Sequence, residues 1–128
     1  MSAAKSRASV STRGPVLIIG TGLLGTSLAL ALRTADVEVQ LSDTSPTSLA
    51  LARDMGAGTP HDKHSPEPQI VVVATPPDVT ADVVVAQLTA HPHAVVTDVA
   101  SVKERVVAEV RARAGAEARR YVGSHPMA

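Results

Sequence analysis

The sequence predicts an α/β fold: a doubly wound, mostly parallel sheet with helices on both faces. Three observations predict it. Short Val- and Ile-rich runs without polar alternation, such as Val16-Leu17-Ile18-Ile19 and Ile70-Val71-Val72-Val73-Ala74, read as strands buried on both faces. Stretches with apolar residues at helical spacing separate those runs. Strand and helix alternate along the chain, with no internal repeat and no long linker, which calls for right-handed crossovers and parallel pairing.

In order, Gly14-Pro15 precedes the first strand, and an apolar helix pattern follows it to about Arg33. Val37-Glu38-Val39-Gln40-Leu41-Ser42 is the second strand and ends in Asp43. Ser45 caps a helix whose first residue is Pro46, which carries Leu49, Ala50 and Ala52 and ends near Gly56. Residues 57–68 are irregular, with Pro60, Pro66 and Pro68, and a short strand is expected near Thr59. The strand at 70–74 runs into Thr75-Pro76-Pro77, which stops it. A helix from Asp78 to about Ala90 places Val79, Val83, Val84 and Leu88 on one side, although its many β-branched residues oppose helix formation. After the turn His91-Pro92-His93 comes the strand Ala94-Val95-Val96-Thr97-Asp98. Val102, Val106 and Val110, with Val107 beside them, then form a helical stripe opposite Lys103, Glu104, Arg105 and Arg111. Gly115 ends that helix, and Arg120-Tyr121-Val122-Gly123 is a last short strand before Ser124-His125-Pro126.

The bulk properties exclude several classes. A chain of 128 residues is one domain's worth, and a hydrophobic fraction of 45% is enough for a core. That core is aliphatic, because there is no Phe or Trp and a single Tyr. Lys+Arg and Asp+Glu balance at 12 each, so nothing points to nucleic acid or a membrane surface as partner. The absence of cysteine excludes disulfides and thiolate chemistry. No apolar run reaches the ~20 residues of a membrane span. Residues 1–13, rich in Ser, Ala, Lys and Arg, lack an apolar signal core and read as a disordered tail of a cytoplasmic protein. Residues 14–128 form the predicted domain.

Gly20, Gly22 and Gly25 follow the first strand in the G-x-G-x-x-G pattern of a dinucleotide site. The first permits the tight turn, the second lets the backbone approach a pyrophosphate, and the third lets the helix pack close to the sheet. The pyrophosphate would sit on free N–H groups at the helix start, formed by Gly20, Thr21, Gly22, Leu23, Leu24 and Gly25. Such glycines also occur in ordinary strand-turn-helix units. The added signal is Asp43, an acidic residue about 20 positions on at the end of the second strand, able to accept from a ribose 2′-hydroxyl. The combination predicts a Rossmann-type domain for NAD rather than NADP, because Asp43 would repel a 2′-phosphate and Thr44-Ser45 offer no cation.

In open parallel sheets the ligand lies beyond the carboxyl ends of the strands. Those ends supply the glycine turn, Asp43, Thr75-Pro76-Pro77, Asp98 to Ser101, and Ser124-His125-Pro126. Ser101-Val102-Lys103-Glu104 reads as a capping box, which is compatible with a hydroxyl facing the cleft. Asp98 ties down the same turn. His125 is the histidine placed at a strand end on this rim. His61, His64, His91 and His93 read as solvated, and His91-x-His93 lacks a third metal ligand in reach by sequence, so no metal is expected.

Residues 16–33, Thr97-Asp98-Val99-Ala100-Ser101-Val102-Lys103 and Tyr121-Val122-Gly123-Ser124-His125-Pro126-Met127-Ala128 resemble prephenate dehydrogenase, with arogenate dehydrogenase as its near relative. The resemblance spans residues 15–128. Its glycine motif is shared with many dehydrogenases, whereas D-x-x-S-V-K followed by G-S-H-P-M-A is far more specific. The resemblance implies oxidation of prephenate with loss of CO₂ to give 4-hydroxyphenylpyruvate, in tyrosine synthesis. It implies His125 as the base on the substrate's ring hydroxyl, Ser101 as its hydrogen-bonding partner, and Thr75 and Pro76 along the nicotinamide ribose. It implies a following helical domain for substrate and homodimer formation. Lys103 belongs to the motif without a separable role. Another dehydrogenase, such as a hydroxyacid dehydrogenase, would share the glycines and Asp43 but not the later motifs. A non-enzymatic nucleotide-sensing module would share them too, yet needs no rim histidine.

Overall fold

The computed structural model describes residues 14–101 and 103–123. The expected tail at 1–13, Val102 of the apolar stripe, and the segment 124–128 with His125 lie outside the described residues.

Among the described residues, six parallel strands form one sheet: β1 (Val16–Ile19), β2 (Val39–Ser42), β3 (Thr59–Pro60), β4 (Ile70–Val73), β5 (Val95–Asp98) and β6 (Tyr121–Gly123). Their order is β3-β2-β1-β4-β5-β6. The chain therefore winds outward from β1 in one direction, then returns to β4 on its other side. The strand order reverses between β1 and β4, and a crevice opens at such a point. Helices α1 (Leu23–Thr34), α2 (Pro46–Asp54), α3 (Pro77–Ala90) and α4 (Lys103–Ala114) connect the strands, and a 3₁₀ helix at Gly115–Arg120 leads into β6.

Period-2 alternation divides the central strands β1 and β4 between two cores. Val16, Ile18, Val39, Leu41 and Val72 face α1 and α2 with Ala29 and Ala52. Leu17, Val71, Val73 and Val96 face α3 and α4, where they meet Ala81, Val84, Leu88, Val106 and Val110. Each fully buried Leu or Val contributes about 1.5–3 kcal/mol relative to exposure. The only aromatic residue, Tyr121, closes the second core at β6.

The crossover from β3 to β4 carries no helix. Gln40 sits on the β2 face that this loop covers and is buried. Buried amides need partners. Gln40 Nε2 donates to the Pro66 carbonyl at 2.8 Å, and its Oε1 accepts from His61 Nδ1 at 2.7 Å. His91 Nδ1 lies 2.6 Å from Glu67, and its side chain is 11% exposed. The His61 and His91 rings meet edge to face at 5.7 Å. These two histidines are packed, which corrects the expectation that all four are solvated; His64 and His93 are exposed.

Gly115 ends α4 as expected, with φ +59, but the chain then coils into the 3₁₀ helix rather than running straight to the last strand. That turn delivers Arg120, whose guanidinium donates to the Leu88, His91 and Ala94 carbonyls at 2.6, 2.9 and 2.8 Å. Leu88 and His91 belong to the end of α3, whose last carbonyls lack helical partners, and Ala94 directly precedes β5.

Candidate functional site

The carboxyl ends of β1, β2, β4 and β5 border a cleft of about 940 Å³. Its lining includes Gly20, Gly22, Leu23, Leu24, Gly25, Asp43, Thr75, Pro76 and Ser101. Four of the five predicted rim segments are thus brought together. The fifth, with His125, is outside the described residues. β6 pairs parallel to β5 with Asp98 opposite Gly123, so the last described residue of the chain lies at this same rim.

The glycine turn is built as its spacing requires. Gly20 has φ +102, and a Cβ there would lie 2.3 Å from the Ala74 carbonyl oxygen. A Cβ on Gly25 would lie 1.9 Å from the Gly20 carbonyl oxygen. A Cβ on Gly22 would meet nothing within 4 Å, so this backbone borders open space on the cleft. Gly25→Ala should therefore destabilise the chain by roughly 1–3 kcal/mol through forced displacement of α1 from β1, and should lose nucleotide binding with it. A thermal melt and a binding titration check this; unchanged stability and affinity would contradict the packing role.

Gly22 is the N-cap of α1 and offers no capping side chain, and the first turn holds no acidic residue. The first N–H groups of a helix have no intrahelical partner, and the helix dipole makes them an anion site. Leu23 and Leu24 are exposed beside them.

Asp43 stands across the cleft at the end of β2. Its Oδ2 accepts from the Thr21 N–H at 2.6 Å and the Thr21 hydroxyl at 2.7 Å, and its Oδ1 accepts from the Ser45 N–H at 2.8 Å. Burial alone would raise its pKa, but the Thr21 hydroxyl and the N–H groups of Ser45, Thr21 and Thr44 outweigh it and hold the pKa below the usual carboxylate value. The carboxylate is ionised at neutral pH. Thr21 is itself buried, and its carbonyl accepts from the Thr26 hydroxyl at 3.0 Å. The glycine pattern located Thr21 but gave no reason for its hydroxyl.

On the other side, Thr75 exchanges a hydrogen bond with Thr80 at 3.2 Å, and Pro76 and Pro77 open α3. Ser101 is exposed on the cleft. The capping-box expectation needs correction. α4 begins at Lys103, and among the described residues the Ser101 hydroxyl makes no hydrogen bond to the helix. The turn is fixed by Asp98 instead. Asp98 is fully buried; its Oδ2 accepts from the Ala100 N–H at 2.9 Å and from Lys103 Nζ at 2.6 Å, and its Oδ1 accepts from the Tyr121 hydroxyl at 2.5 Å. Burial, then the bond to Asp98, pushes the Tyr121 phenol well above its usual pKa. Lys103 is therefore an ion-pair partner beneath the rim, and one buried carboxylate ties β5, α4 and β6 together. Sequence reading saw Asp98 at the turn but missed Tyr121, for which the signal was a lone aromatic in an aliphatic core.

The geometry fits a dinucleotide: open backbone at Gly22, unpartnered N–H groups at the start of α1, an ionised acceptor opposite, and a cleft without Lys or Arg among its lining residues. No helix among the described residues is long and apolar enough to cross a membrane.

Comparison with known proteins agrees with this reading. Residues 28–128 match the family described as prephenate dehydrogenase, nucleotide-binding domain. The probable prephenate dehydrogenase NovF of Streptomyces niveus is 40% identical over 112 residues, which is 87% of this chain and 30% of that protein. A solved structure from Corynebacterium glutamicum, assigned as a prephenate dehydrogenase, is 35% identical with TM-score 0.75, covering 89% of this chain and 37% of that one. Synechocystis arogenate dehydrogenase shares the fold, with TM-score 0.70 and 24% identity over 87% of this chain and 40% of that one. The chain thus spans 30–40% of the length of these relatives.

Proposed function

This chain belongs to the prephenate dehydrogenase family, as the nucleotide-binding domain of NAD-dependent enzymes, and we propose that it is the cofactor-holding part of an enzyme that converts prephenate to 4-hydroxyphenylpyruvate and CO₂ in tyrosine synthesis. Arogenate is the alternative substrate. The observation that carries this reading is the position of Ser101, from the D-x-x-S-V-K motif, on the same cleft as Gly22 and Asp43.

NAD, when bound, supplies the hydride acceptor. The chain's own residues do the rest. The turn at Gly20, Thr21, Gly22, Leu23, Leu24 and Gly25 holds the pyrophosphate, and Asp43 accepts from the adenosine ribose. Thr75 and Pro76 line the nicotinamide end. His125 takes the proton of the substrate's ring hydroxyl as the carbon bearing it gives up hydride. The ring carboxylate leaves as CO₂, and its bonding electron pair completes the aromatic ring. Ser101 hydrogen-bonds the imidazole or the substrate hydroxyl and keeps the two in line. We further propose a cytoplasmic enzyme that works as a homodimer through a helical domain beyond this one, and with no metal in the reaction.

Calorimetric titration of residues 1–128 tests the cofactor assignment. NAD⁺ should bind, and NADP⁺ should bind at least about tenfold more weakly, because its 2′-phosphate meets an ionised carboxylate with no cation to compensate. NADP⁺ binding as tight as NAD⁺ would overturn the assignment.

A further inference from the structure

We propose that Thr21 is the positioning residue that sets nucleotide choice, by clasping Asp43 through its N–H and hydroxyl and so fixing the carboxylate at the ribose end of the cleft. The inference rests on the reading of this cleft as an NAD site.

The glycine turn requires small residues at 20, 22 and 25 and asks for no hydroxyl at 21. Yet Thr21 is only 6% exposed, and its N–H and hydroxyl both reach one oxygen of a residue 22 positions away, at 2.6 and 2.7 Å. The Thr21 carbonyl in turn receives the Thr26 hydroxyl at 3.0 Å. One residue therefore ties the first helix to the end of the second strand. Two consequences follow for the carboxylate. Its rotation is fixed, because Oδ2 is held by Thr21 and Oδ1 by the Ser45 N–H at 2.8 Å. Its charge is also kept. Its hydrogen-bond partners are neutral N–H and O–H groups of Thr21, Thr44 and Ser45. An Arg or Lys partner would have compensated that charge and eased entry of a 2′-phosphate. The clasp thus gives a ribose diol an oriented acceptor and presents a 2′-phosphate with an uncompensated negative charge.

Removing only the hydroxyl is the test. In Thr21→Val, NAD⁺ affinity should fall about tenfold, the loss of one hydrogen bond to a charged acceptor. NADP⁺ affinity should stay within about twofold, so discrimination narrows. The pH profile should move as well. Asp43 loses the donor that most lowers its pKa, so the decline of NAD⁺ affinity with falling pH should begin at higher pH than in the wild type. Thr21→Ser should restore both quantities. Should Thr21→Val not fold, Thr21→Ala against Thr21→Ser makes the same comparison. In an Asp43→Asn background, removing the hydroxyl should have no further effect on nucleotide preference. Unchanged NAD⁺ affinity, preference and pH profile in a folded Thr21→Val or Thr21→Ala variant would overturn the clasp while leaving the NAD reading intact. Failure of the wild-type chain to bind NAD⁺ would instead overturn that reading and the clasp with it.

Discussion

Replacing His125 with Asn should lower kcat by 10²–10⁴-fold and leave NAD⁺ affinity nearly unchanged, in an enzyme that joins this chain to the remaining part of the Corynebacterium glutamicum relative. The factor is what a positioned general base typically contributes, about 3–5 kcal/mol of transition-state stabilisation. Asn keeps a hydrogen-bonding side chain of similar reach but cannot take a proton near neutral pH. NAD⁺ affinity should hold because the groups proposed to bind the dinucleotide are on other strands: the turn after β1, Asp43 after β2, and Thr75 after β4. The parallel register that puts Gly123 opposite Asp98 brings the end of β6 to the rim where Ser101 lines the cleft. Ser101→Ala should have a smaller effect on turnover and, with no hydrogen bond from its hydroxyl to the helix among the described residues, little effect on stability. Wild-type kcat in the His125→Asn enzyme would remove His125 from the mechanism.

What the sequence revealed, and what it hid, follows from the range of the interactions. The strands, the glycine turn and the helix starts were legible because their signals are local. Gly20 and Gly25 are required by contacts with the backbone at Ala74 and at Gly20 itself, and their spacing alone announces the turn. The Thr21–Asp43 clasp spans 22 positions and the Asp98–Tyr121 bond spans 23, so no periodicity encodes either. The same limit explains Ser101. S-x-x-E is a good local signature for a cap, but Asp98 fixes the turn from the preceding strand, and the helix starts at Lys103. His91 looked solvated from its place between helix and strand. It is packed because the helix-free crossover brings Glu67 and His61 against it, an effect of topology rather than of neighbouring residues.

Residues 1–128 by themselves should fold, bind NAD⁺ weakly and oxidise no prephenate. Folding is expected because both aliphatic cores close within the described residues, each packed between the sheet and its own pair of helices. A chain of this size can bury roughly two-thirds of its unfolded surface. Binding is expected from the glycine turn, the open start of α1 and the ionised Asp43, and weakness from the open form of the cleft. Turnover should fail for a different reason. Prephenate carries two carboxylates, and no Lys or Arg is among the residues lining the cleft. Lys103, nearest in sequence to Ser101, is already engaged by Asp98 at 2.6 Å. With no cation among the described residues lining the cleft, the substrate's carboxylates should go unclamped and its ring hydroxyl should not be held against the proposed base. Lost positioning of this kind can remove on the order of 10⁵-fold or more in rate. The relatives of this chain are roughly two to three times as long, which leaves ample chain for such a clamp. The measurement is calorimetry with NAD⁺, followed by NADH absorbance with prephenate, on this chain and on the fusion to the Corynebacterium glutamicum remainder. NAD⁺ binding by both, with NADH formation by the fusion alone, is the expected result; turnover by residues 1–128 at the rate of the fusion would show that the substrate site lies within this chain.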